Sequence, residues 1–352
     1  MAITYHSGRR IQATQADFDG TPAVSGGWKE LGRTTLGSSN DDITVSSLAD
    51  KRYLMIMTDN IPTGSIWQSI RYNSDTGSNY ANRYSNNGGS DVPSTSLGLS
   101  YWGDQLAGTN HGFGIGYTAN LAGKEKLALS YGVNQNTSGA GTAPDRTEVV
   151  SKWTNTSDAI NAVTNHDQGS GSFASGSEVV VLGYDPDDTH TTNFWEELAS
   201  VNGTGATSFN SGTFTAKKYL WVQIYVDRSA DASNGEITVG NTTLDTGSNY
   251  ARRRSADGGS DDTLTSQTKI SLRTAGLKEF YNIFIINNSA SEKLLIIHQN
   301  AGGTAGAGNA PYRGEFVAKW ANTSNQINII GFGSGGSNTL SSTSIMKVWG
   351  SD

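Results

Sequence analysis

Residues 75–91 read DTGSNYANRYSNNGGSD, and residues 245–261 read DTGSNYARRRSADGGSD. A second block at 139–157 returns at 306–324 and carries Trp153 and Trp320, which stand 167 residues apart. Chance does not place two such matches in the same order along one chain. The sequence therefore contains an internal duplication, and the fold must be one that is built twice.

The duplication sets the predicted domain organisation. Residues 28–185 form the first repeat and residues 194–352 the second. Residues 186–193 connect them as a linker, and residues 1–27, which have no counterpart, are predicted to form an extended N-terminal arm.

The hydrophobic pattern within each copy has a period of two residues, which is typical of strands rather than helices. About eight short apolar runs per copy are separated by turns rich in Gly, Asn, Asp and Ser, and such spacing favours a sandwich. Only Asn193–Val201 reads as a short helix. We predict an all-β protein with two tandem β-sandwich domains that are jelly-roll-like.

Composition excludes several classes of protein. The chain of 352 residues has 43 glycines and no cysteine, and its 25 basic and 32 acidic residues leave a net charge of −7. The lack of cysteine excludes disulfides and thiolate chemistry, and the acidic balance argues against nucleic acid as a partner. The first residues lack the apolar core of a signal peptide, and no run is long enough to span a bilayer, so we expect synthesis in the cytoplasm without membrane insertion.

No motif in the sequence carries convincing catalytic chemistry. Gly331–Gly336 matches the dinucleotide pattern G-x-G-x-x-G, but a strand rather than a helix is expected next, which favours a hairpin loop. The five histidines share no metal-like spacing. Asp185, Asp187 and Asp188 near His190 offer oxygen ligands for Ca²⁺, although a solvated linker is the simpler interpretation. We predict no enzyme activity, no catalytic residue, no metal and no cofactor.

The repeated polar residues are candidates for a contact with carbohydrate or with a neighbouring subunit. Asp and Asn side chains bind sugar hydroxyls, and aromatic rings stack on sugar faces. The alternative is structural: Asp-Thr-Gly is a turn, and the tyrosine begins a strand. The candidates are Asp75, Asn79, Tyr80 and Arg83 in the first copy and Asp245, Asn249, Tyr250 and Arg253 in the second.

Two further pairs of repeated residues have structural interpretations. Arg83 and Arg253 are suited to anchor Asp91 and Asp261, or a carboxylate of a neighbouring subunit. Trp153 and Trp320 end apolar strands, and we predict that both are buried at equivalent places in the core.

The repeated blocks and the opening segment Tyr5–Ile11 resemble a family of uncharacterised tandem-repeat proteins from marine viruses and phages. These proteins are thought to be structural components of the virion, and the resemblance implies no catalytic residues. The second copy departs from the family pattern at Asn309 and Gly314.

The sequence thus predicts a virion structural protein, a capsid-forming, capsid-surface or fibre-associated subunit that acts by self-assembly and adhesion. Its expected partners are further copies of itself, other virion proteins and host surface glycans. A trimer is the preferred homo-oligomer, by analogy with virion jelly rolls. A lectin-like binding module is the alternative function. A polysaccharide-degrading enzyme, which would need paired carboxylates, is a third.

Overall fold

The computed structural model describes residues 27–106, 108, 110–188, 192–230, 234–273, 276–302 and 306–352, together with the backbone of Thr4–Tyr5 and Ile11–Gln12. The predicted arm, apart from Gly27 and these two short strands, and His190 of the predicted linker lie outside the described residues. No helix among the described residues is long and apolar enough to cross a membrane.

In the part of the chain that the structure describes, fourteen strands precede the predicted linker. They are β1 (Thr4–Tyr5), β2 (Ile11–Gln12), β3 (Lys29–Thr35), β4 (Asp42–Val45), β5 (Tyr53–Asn60), β6 (Ile66–Tyr72), β7 (Tyr80–Asn86), β8 (Val92–Leu97), β9 (Ser100–Leu106), β10 (Gly112–Ala119), β11 (Lys126–Asn134), β12 (Asp145–Trp153), β13 (Val163–Asp167) and β14 (Glu178–Tyr184).

Thirteen strands follow the predicted linker in the described residues. They are β15 (Glu196–Asn202), β16 (Ser208–Asn210), β17 (Tyr219–Asp227), β18 (Glu236–Asn241), β19 (Thr243–Leu244), β20 (Tyr250–Ala256), β21 (Asp262–Gln267), β22 (Ile270–Ser271), β23 (Lys278–Ile286), β24 (Lys293–Ala301), β25 (Tyr312–Trp320), β26 (Ile329–Gly333) and β27 (Ile345–Ser351).

Both halves arrange their strands in the same order. The first half has an eight-stranded sheet of order β3-β14-β5-β10-β11-β12-β7-β8, and the second half has β15-β27-β17-β23-β24-β25-β20-β21. A smaller sheet completes each sandwich, with order β4-β13-β6-β9 in one half and β16-β26-β18-β19 in the other, where β22 also pairs with β18. The predicted all-β fold of two tandem β-sandwiches, and the same strand topology in both copies, are therefore confirmed. The exact domain boundaries stay a prediction.

Each sandwich has its own hydrophobic core between its two sheets. Alternate residues point inward, as the period of two requires, so that Leu54 and Ile56 of β5 enter the first core, and Leu220 and Val222 of β17 enter the second. Trp153 and Trp320 lie in these cores with 1% and 2% of their surface exposed, which confirms that prediction.

A third hydrophobic core lies between the two eight-stranded sheets. Met55 and Met57 of β5, on the face opposite Leu54 and Ile56, share it with Phe284 of β23 and Leu294 of β24. The four sheets thus form four layers, and the central two have apolar residues on both faces. This burial explains the continuous apolar runs Ile283–Ile286 and Leu294–Ile297, because a strand covered on both sides has no reason to alternate.

Two details differ from the sequence expectations, and a third agrees with them. Asn193–Val201 is not helical, since β15 occupies Glu196–Asn202 as an edge strand of its sheet. More strands form than the eight expected in each copy, because edge strands such as β3 and β8 are polar and carry little hydrophobic signal. Gly331–Gly336 follows the expectation: it ends β26 and enters a turn, with Gly335 at φ +72°, and no helix follows.

Candidate functional site

The two Asp-Thr-Gly loops have the same internal hydrogen bonds. Asp75 Oδ1 accepts the Gly77 N–H at 2.8 Å, and Asp75 Oδ2 accepts Asn79 Nδ2–H at 2.9 Å and Trp153 Nε1–H at 2.7 Å. Three bonds to one carboxylate hold the pKa of Asp75 below its usual value, although partial burial alone would raise it. The aspartate therefore ties the turn to the buried tryptophan.

The second copy repeats this arrangement almost bond for bond. Asp245 accepts hydrogen bonds from the Gly247 N–H at 2.7 Å, from Asn249 at 2.8 Å and from Trp320 at 2.7 Å. The turn-to-tryptophan contact is thus a duplicated structural feature.

The tyrosines that follow these loops are buried. The Tyr72 N–H donates to the Tyr80 hydroxyl at 2.9 Å, and the Tyr250 hydroxyl donates to the Val239 carbonyl at 2.7 Å. Both rings are at most 1% exposed, and burial raises the pKa of each hydroxyl. Neither ring offers a face to a sugar, so the structural interpretation of these loops has the better support.

The two arginines of the candidate set bind different partners. Arg83 is exposed and comes within 3.9 Å of Asp91, whereas Arg253 donates to the Pro144 carbonyl at 2.9 Å and to Asp145 at 3.2 Å. The expected pairing of Arg253 with Asp261 is wrong, because Asp261 instead accepts from Arg146 at 2.8 Å. The eight candidate residues therefore do not converge on one site.

Residues that are equivalent in the two repeats meet where the large sheets pack together. Tyr131 and His298, which stand 167 residues apart, have ring centroids 4.3 Å apart. Glu148 and Glu315, at the same spacing, both lie beside Arg146 Nη1. We call this line of contacts the seam.

Charged groups flank the seam at one end. Arg146 is bonded to Glu148 and lies 3.4 Å from Glu315. The pKa of Glu148 is raised to about 7. Burial is the main cause, the nearby carboxylate of Glu315 raises the pKa further, and Arg146 lowers it only in part. Burial also lowers the pKa of His298 to about 4.

Asp59 forms a second polar contact between the repeats. It is fully buried, pairs with His111, and accepts from Lys218 Nζ at 3.0 Å and Asn288 Nδ2 at 2.7 Å. Burial alone would raise the pKa of Asp59, but His111 and Lys218 hold it below the usual value. Lys218 and Asn288 belong to the second repeat, so this carboxylate joins the two halves.

Neither of the metal arrangements considered from the sequence gains support. Among the described residues, no group of three His, Asp or Glu side chains is placed to hold a metal ion. Asp188 pairs with Lys51 at 2.6 Å and Asp187 with Arg52 at 2.8 Å, so both carboxylates tie the linker to the first repeat.

An apolar groove of about 770 Å³ lies on the first repeat, on the face of the large sheet that also forms the seam. Leu127, Leu129 and Val150 form its floor and are 58%, 40% and 55% exposed. Tyr53 and Tyr117 also line it, as do Trp28, Arg83 and Lys152. We call it the first-repeat groove.

The equivalent surface of the second repeat is covered. Leu294, Ile296 and Val317 stand 167 residues after Leu127, Leu129 and Val150, and at most 2% of each is exposed. They pack in the core that contains Met57, Phe113 and Ile115 of the first repeat.

Sequence reasoning missed both the seam and the groove. The continuous apolar runs of the large sheets were the available signal for a second buried face. The sequence held no such signal for the groove, since both copies have an apolar residue at all three positions.

Comparisons with known proteins add little to these observations. No family model matches the chain, and no curated protein matches it. Among solved structures, domains LG4-5 of the mouse laminin alpha1 chain are 9% identical, with a TM-score of 0.19 and coverage of 93% of this chain and 92% of theirs. The LG1-3 region of the laminin alpha2 chain is 6% identical, with a TM-score of 0.21 and coverage of 90% and 61%.

A third similar structure is the PBSX exported protein XepA, which is 8% identical, with a TM-score of 0.18 and coverage of 99% and 98%. Scores at this level carry no argument about function. The fold assignment rests on the sheets themselves.

The seam leads to a prediction about pH. The folded protein holds a proton on Glu148 that the unfolded chain releases above its ordinary pKa of 4.5, so this group's stabilisation is lost as pH rises from about 4.5 to 7. We expect Glu148→Gln to remove that decline, and denaturant unfolding across this pH range measures it. The lowered pKa of His298 makes stability rise with pH over part of the same range. Both proteins contain His298, so the difference between their pH profiles reports Glu148. Identical pH profiles for the two proteins would show that Glu148 titrates normally.

Proposed function

We propose that this chain is a structural subunit of a virus particle and that it acts by packing against copies of itself. The observation that carries the proposal is the third core, where the large sheet of one copy of the fold packs against the large sheet of the other. The large sheet of this fold therefore has a face that binds another copy of the same fold.

The assignment to a virus particle rests on the repeated blocks, which resemble proteins of marine viruses. The loops around Asp75 and Asp245 support a structural role because their polar atoms are bound within the fold. The same bonds weaken the lectin alternative, which needs free Asp and Asn oxygens beside an exposed ring.

Purified protein tests the proposal against both alternatives. Light scattering should detect a closed homo-oligomer that forms with increasing concentration, while a glycan array and a reducing-sugar assay stay negative. A protein that binds one glycan tightly, or releases sugars from a polysaccharide, and stays monomeric would contradict the proposal.

A further inference from the structure

The first-repeat groove is an unusual surface for a folded monomer. Its three floor residues are large and apolar, and each is at least 40% exposed. Contiguous apolar surface of this kind marks a site of interaction. Its rim carries both signs of charge, with Lys152 3.1 Å from Glu125 and Arg83 3.9 Å from Asp91.

The second repeat shows what covers such a surface. There the equivalent residues Leu294, Ile296 and Val317 pack against the large sheet of the first repeat, which is a copy of the same fold. The groove is also continuous with that interface, since Trp28 and Tyr117 line the groove and pack against the same core.

We infer that the first-repeat groove docks a second copy of this chain in a twofold pair, in which each copy covers the groove of the other with its own large sheet. A twofold contact requires a self-complementary surface, and opposite charges on one rim allow each copy to place its cations against the other's carboxylates. This inference rests on the proposed function and specifies the surface through which subunits meet.

The test measures the mass of purified protein as a function of concentration by analytical ultracentrifugation. The parent chain should form a dimer of twice the 37.2 kDa chain mass. Leu127→Asp should weaken the dimer by about 100-fold or more, because pairing would bury a carboxylate without a partner. Val150→Lys should act in the same way with the opposite charge.

Leu277→Asp is the matched control. Leu277 is 41% exposed on the second repeat, outside the groove, so the same substitution there should leave the dimer intact. Circular dichroism confirms that each variant is folded, which is expected because all three side chains are exposed.

Three results would overturn the inference. If the Leu127→Asp and Val150→Lys variants form dimers at the same protein concentration as the parent, the subunits meet at another surface, and the proposed function stands. A monomeric parent that pairs only after deletion of residues 1–26 would show that the chain's own N-terminal segment occupies the groove. A monomer with and without that deletion would exclude groove pairing, whereas the composition of native particles tests the proposed function separately.

Discussion

Replacing Trp320 by alanine is expected to lower the free energy of unfolding by about 3 to 5 kcal/mol, the usual cost of removing a large aromatic ring from a core. The ring is 2% exposed, and its indole N–H donates to Asp245, so the variant loses packing and also leaves the Asp245 turn without its anchor. Trp153→Ala should cost a similar amount through Asp75. Urea unfolding of each variant measures both values.

Trp67→Ala is the control for this prediction. Trp67 is only half-buried and packs mainly beside Tyr101, so its removal should cost clearly less. If Trp153→Ala and Trp320→Ala unfold at the parental urea concentration, the rings are not core residues, and an exposed aromatic platform for sugars becomes the better interpretation.

The second large effect is expected at Lys319, which locks the two repeats together. Its ammonium group is fully buried, donates to the carbonyls of Gln135 and Thr137 in the first repeat, and lies 3.5 Å from Glu292. Lys319→Met leaves Glu292 buried without its cation, and breaking a buried pair in this way costs about 3 to 5 kcal/mol. Thermal and urea unfolding both report the loss.

The duplication supplies a matched control at Lys152. This equivalent lysine is 43% exposed and pairs with Glu125 on the surface, so Lys152→Met should cost about 0 to 1 kcal/mol. Equal losses for the two variants would contradict the asymmetric packing of the repeats that we describe.

The sequence predicted the part of the fold that depends on local pattern. The short apolar runs of β5 and β17, bounded by turn residues, indicated strands, and the repeated turns indicated that the same sandwich forms twice. The buried positions of Trp153 and Trp320 followed from their place at the ends of apolar strands. Polar edge strands such as β3 and β8 escaped detection because their residues bury little apolar surface.

The relation between the repeats could not be predicted, because equivalent residues have different environments. Leu127 and Leu294 are the same residue type in matching strands, yet one is 58% exposed and the other is fully buried. Lys152 and Lys319 differ in the same way. Such differences arise from how one sheet lies on another, and no local pattern encodes that placement.

For the candidate residues of the repeated loops, residue type alone fitted both a sugar-binding and a structural interpretation. Asp75, Asn79 and Tyr80 were singled out because their residue types suit sugars, but the same types also close turns and cap buried rings. The hydrogen bonds to Trp153 and Trp320 favour the structural interpretation.

The central claim is that this protein is a repeated structural subunit of a particle. The most direct test is to purify dense particles from the native source and to determine by mass spectrometry whether this chain is present and in how many copies. Our account predicts many copies of the chain per particle, and electron microscopy should place it in the ordered structure. Its absence from particles, with recovery as a free monomer, would contradict the account.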